Sequence, residues 1–142
     1  MFKENKKTIW LSRLGTLSGI VAGLGYILLG FVSLDLNNVA HGTFTFIAFI
    51  GTFIALIFYL IAIFYTSSYP NVYAWLFITC SVLSLVYIII LFGGGSSGPL
   101  SNLTLQAISQ KIIVYIQIII FAIQSLASYF VIRKNTTEIK ID

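Results

Sequence analysis

Charge is what this sequence has least of. Only 8% of its 142 residues are Asp, Glu, Lys or Arg, and just 4 of them are acidic. A soluble domain carries about 25% charged residues, so a water-facing surface of ordinary composition is excluded. Histidine and cysteine are scarcer still, with one of each. A lone thiol, Cys80, closes no disulfide within the chain. One His and one Cys at different levels also fall short of the several ligands a usual metal site needs. The 2 prolines, Pro70 in TSSYPN and Pro99 in GGGSSGPLSN, lie outside the long apolar runs, where each would break a helix.

What fills the chain instead is apolar: 58% hydrophobic residues and a mean hydropathy of +1.00. The net charge of +4 does not mark a nucleic-acid face. Lys3, Lys6, Lys7, Arg13, Arg133, Lys134 and Lys140 flank the two ends, and only Lys111 stands apart. Uncharged stretches of 21 residues separate Arg13 from Asp35 and Lys111 from Arg133, and Asp35 to Lys111 holds no Asp, Glu, Lys or Arg. Since about 20 apolar residues cross a bilayer as a helix, the spacing predicts helices near 14–33, 43–66, 72–92 and 111–132. The expected fold is all-α: one membrane domain over 1–142, an integral membrane four-helix bundle.

An even number of spans puts both termini on one side, and the basic ends make that side cytoplasmic, an N-in/C-in, multi-pass arrangement in the cell membrane. Trp10, Tyr65, Tyr69, Tyr73, Trp75 and Tyr129 fall at the same interface, where amphipathic rings sit. The first apolar run is too long for a cleaved signal peptide and lacks a small-x-small site. Two glycosylation sequons occur, Asn102-Leu103-Thr104 in the expected outer loop and Asn135-Thr136-Thr137 on the inner side.

Three residue patterns stand out within this frame. Gly15, Gly19 and Gly23 recur every four residues in GTLSGIVAG, a strip that lets a neighbouring helix approach closely, in this bundle or in a second copy. Gln110, Gln117 and Gln124 repeat every seven residues, so they share one face, which should look inward. Depth matching on an antiparallel neighbour sets Gln124 at the level of Thr79, and Gln117 near Ser84 or Tyr87. The third pattern is the ionisable set Asp35, His41 and Lys111, all expected at the outer face. It is read either as local structure, with Asp35 turning the first connection and His41 and Gly42 opening helix two, or as a small polar site for a lipid headgroup or another anionic ligand.

No catalytic set is assigned. Asp35 and His41 lack a nucleophile elbow, and the glycines at 93, 94, 95 and 98 lack the Lys-Ser/Thr ending of a phosphate loop. No cofactor is expected. The expected partners are the bilayer, a lipid headgroup, and a second copy or membrane partner. The expected role is a non-enzymatic scaffold or accessory subunit that holds lipid at the outer interhelical face. The alternative is an oligomeric channel or transporter-like protein, and an intramembrane enzyme using Asp35 and His41 comes third.

Residues 30–51, GFVSLDLNNVAHGTFTFIAFIG, carry Gly30, Asp35, His41, Gly42 and Phe49. They resemble the G-x-F-P-x-D, then H-G, then apolar-helix pattern of the prokaryotic membrane domain-of-unknown-function family numbered 998, itself distantly similar to DRAM-like membrane proteins. No proline precedes Asp35 here, and that family usually has more spans than the four read from this chain. The resemblance implies an integral membrane protein with an outer Asp/His element, and it implies no reaction.

Overall fold

A computed structural model describes residues 6–34, 36–66, 72–93 and 103–138. They form four helices: α1 (Lys6–Phe31), α2 (Asn38–Phe64), α3 (Val72–Gly93) and α4 (Leu103–Glu138). Each is long and apolar enough to cross a membrane. Three helices outrun the predicted spans, α2 by opening at Asn38 rather than near 43. α1 begins at Lys6 rather than near 14, and α4 covers 36 residues, about 54 Å against a hydrocarbon core of about 30 Å. Charges mark where a helix leaves the hydrocarbon, and in water the backbone ladder continues past that point.

The connection between α1 and α2 is built locally. Asn37 is the N-cap of α2, its side-chain oxygen accepting from the Ala40 N–H at 3.0 Å. The helix therefore opens at Asn38, and His41 sits a turn inside it, correcting the expectation that His41 and Gly42 start the helix. The His41 Nδ1–H donates to the Val32 carbonyl at 2.6 Å, fastening the end of α1 to the start of α2. Asp35, the residue expected to turn this connection, lies outside the described residues.

Helices approach with Cα atoms within 8 Å only as sequence neighbours: α1 with α2, α2 with α3, and α3 with α4. Each pair is antiparallel, as the cross-helix contacts Gly15 with Tyr59, Phe46 with Phe92, and Ser84 and Tyr73 with Gln117 and Gln124 in turn require. The bundle therefore runs up-down-up-down, with the start of α1 and the end of α4 at one end. Trp10, Tyr65, Trp75 and Tyr129 are exposed around that end. One core cluster joins Leu56, Ile63, Ala74, Phe77, Cys80 and Ile120, and a second joins Ala48, Phe49, Tyr87 and Ile113. The outward faces stay apolar, with Ile20, Leu24, Ile118 and Ile119 all exposed. Contiguous apolar surface of this kind is what a lipid-facing bundle presents. Hydroxyls on these helices turn back onto their own backbone: Thr45, Thr52, Ser81 and Ser84 each donate to the carbonyl four residues earlier.

The α1–α2 pair is the tightest contact, and the predicted glycine strip makes only part of it. A Cβ at Gly25 would stand 2.8 Å from the Ala48 nitrogen, and one at Gly51 would stand 3.0 Å from the Ala22 Cβ. Gly15 is also close-packed, against the Tyr59 ring at 3.2 Å. At Gly19 an added Cβ would meet only the Ala55 Cβ, at 4.0 Å, and at Gly23 it would meet nothing within 4 Å. The strip Gly15, Gly19 and Gly23 is thus not one seam. Steps of four residues advance about 40° beyond a full turn, so by Gly23 the strip has rotated off α2. The contact line instead follows Gly15, Gly19, Ala22 and Gly25.

Candidate functional site

The polar residues of α4 show how the middle of the bundle is wired. Gln117 is buried, and its Nε2 donates to the Ser84 Oγ on α3 at 2.9 Å. The Ser84 hydroxyl in turn donates to the Cys80 carbonyl at 2.8 Å. From the other side the Tyr26 hydroxyl on α1 donates to the Gln117 Oε1 at 2.9 Å. One amide thus ties three helices together, with donor and acceptor both used, as an apolar surrounding demands. Gln124 is buried a further turn-pair along, and its Nε2 donates to the Tyr73 carbonyl at 2.8 Å. Thr79, expected opposite Gln124, is exposed and donates to the Trp75 carbonyl of its own helix. It takes no interhelical role because its side chain leaves α3 on the outward face.

Tyr26 matters for a second reason. No Cα of α1 lies within 8 Å of one in α4, so the first and last helices leave a gap, and the tyrosine ring reaches across it. The gap forms a groove in two parts. One hollow, about 550 Å³, lies between Gly19, Ala22 and Gly23 on one wall and Ile118 and Phe121 on the other, with Thr52 and Ala55 of α2 at its back. A second, about 470 Å³, continues toward the opposite end of α1, where Leu29, Gly30, His41, Gln110, Lys111 and Tyr115 line it. Tyr26 and Val114 line both hollows and form the waist between them. Behind His41, between α2, α3 and α4, a third hollow of about 430 Å³ carries Asn38, Thr45, Tyr87, Gln106 and Gln110, and no Asp, Glu, Lys or Arg among the described residues.

His41 and Lys111 thus come together at one end of the α1–α4 groove, although they lie far apart in sequence. Lys111 is exposed at the opening and His41 is half-buried. Gln110 joins them, half-buried beside both hollows that His41 lines. Asp35, the third residue predicted here, lies outside the described residues, as does Asn102 of the outer sequon. Among the described residues no three His, Cys, Asp or Glu side chains gather at one place. Sequence reasoning missed Tyr26. Its one signal was a hydroxyl placed mid-span on α1, which needs a partner at its own depth.

The groove offers a simple chemistry. The 550 Å³ hollow is almost wholly apolar, with the backbone of two glycines laid bare, whereas its continuation ends at an ammonium, an imidazole, an amide and a phenol. From Lys111 to Phe121 the groove runs about 15 Å along α4, half of a hydrocarbon core about 30 Å thick. Architecture and groove together define a class: an all-α chain with four helices each long and apolar enough to span a membrane. No family model, curated protein or solved structure matches the chain, so the likeness carried by residues 30–51 rests on those residues alone.

Proposed function

We propose that the protein is a non-enzymatic accessory protein of the cell membrane that holds an anionic lipid in the groove between α1 and α4. Both termini are on the cytoplasmic side, and the Lys111 end faces outward. The observation that carries this reading is a groove one leaflet deep that joins an apolar hollow to a cationic mouth at Lys111. Acyl carbons gain little by leaving bilayer lipid for a protein groove, because both are equally apolar. Selectivity then comes from headgroup contacts at Lys111, His41, Gln110 and Tyr115, and from the fit of one chain against Gly19 and Gly23.

The test is native mass spectrometry of protein purified in mild detergent. A Cβ at Gly23 meets no protein atom within 4 Å, and the rest of the side chain in Gly23→Leu extends into the 550 Å³ hollow, so the fold is retained and the bound lipid is lost. Lys111→Glu retains the fold and loses anionic lipids selectively. An unchanged lipid complement in both variants refutes the reading. If Gly23→Leu instead converts a dimer to a monomer with no change in lipid, the groove seats a second copy.

A further inference from the structure

We propose that Tyr26 is the acyl-chain gate of this groove, its hydrogen bond to Gln117 separating ligands by chain length. The inference rests on the lipid-groove reading and names the residue that sets its specificity. Three observations converge on it. Tyr26 and Val114 are the side chains shared by the two hollows, so a chain entering from the Lys111 end meets them before reaching Gly23. The Tyr26 hydroxyl donates across a gap that no backbone closes, 2.9 Å to the Gln117 Oε1. Gln117 itself is fixed from behind by its bond to Ser84. Gln117 is thus the fixed post and Tyr26 the arm that meets it, its ring edge-to-face with Phe49 at 5.5 Å between centroids.

A short chain ends in the hollow beside Lys111 and leaves the bond intact. A long chain passes the waist, displaces the Tyr26 ring and breaks the bond. The penalty is paid once, whatever the length beyond the waist. Interhelical hydrogen bonds in membranes average about 0.6 kcal/mol, which corresponds to about threefold in affinity. Tyr26→Phe keeps the ring and removes the bond, so it favours long chains alone.

The experiment measures binding of dihexanoyl- and dipalmitoyl-phosphatidylglycerol to the full chain by native mass spectrometry, for wild type and Tyr26→Phe. The ratio of variant to wild-type affinity is compared for each lipid, so that differences between the lipids in bulk detergent cancel. The expected ratio is unity for the short lipid and about threefold in favour of the variant for the long one. Tyr26→Leu, which also shortens the arm, gives a larger difference of the same sign. Equal ratios for the two lipids, or no change with either, overturn the gate while leaving the groove reading in place. Wild type that retains neither lipid overturns the groove reading and the gate with it.

Discussion

Two glycines on one helix, two residues apart, should respond oppositely to the same substitution. At Gly25 an alanine Cβ would lie 2.8 Å from the Ala48 nitrogen, 3.1 Å from its Cα and 3.1 Å from the Ile47 Cγ2. Two of these are backbone atoms, so no side-chain rotation relieves the clash. α2 must retreat until 2.8 Å becomes at least the 3.4 Å of ordinary contact, and the close fit of Gly51 on Ala22 is loosened with it. Overpacking of this kind costs about 1–3 kcal/mol. At Gly23 the added methyl meets nothing within 4 Å. Both substitutions gain the same helix propensity, about 1 kcal/mol, so that term cancels between them. Gly25→Ala should therefore be less stable than Gly23→Ala by about 1–3 kcal/mol. Titration of detergent-solubilised protein with SDS checks this through near-UV circular dichroism, which reports the packing of Tyr26 on Phe49 and of Tyr59 beside Gly15. Coincident midpoints for the two variants would refute the helix register argued here.

Two further outcomes follow from other contacts. Ser84→Ala removes the acceptor of the Gln117 Nε2 and should lower the SDS midpoint modestly, by about 0.6 kcal/mol; a null result would mean that a neighbouring group takes over the amide. Cys80 is buried, so a maleimide should leave it unmodified until the protein is denatured. In a Cys80→Ser background, Ser33→Cys should label from the outside of intact cells and Lys6→Cys only after permeabilisation. Labelling of both from one side would overturn the proposed orientation.

The helix count was legible because charge is so rare here: the gaps from Arg13 to Asp35 and from Lys111 to Arg133 leave little freedom in where a span can lie. The facing of Gln117 and Ser84 was legible as well, since in an antiparallel pair depth follows from residue number. Helix ends were not, because a chain that leaves hydrocarbon stays helical for as long as its backbone bonds permit. Only part of the glycine strip meets α2, for a geometrical reason. Equal spacing of four looks like a stripe in sequence, yet it winds around the helix, while the contact with α2 steps by four, three and three through Gly19, Ala22 and Gly25. The groove was hidden for another reason. It arises from an approach that two helices do not make, and no residue pattern encodes a gap.

That every helix packs on its neighbours in sequence has a consequence for biosynthesis. Each segment leaving the ribosome finds its docking surface already in place, so the chain can assemble in order from its N-terminus without waiting for a distant partner. The histidine clip from His41 to Val32 can close once the second segment has emerged, making a hairpin that enters the bilayer as a unit. The face of α1 turned toward α4 is then completed last, and until that moment the surrounding lipid is its neighbour.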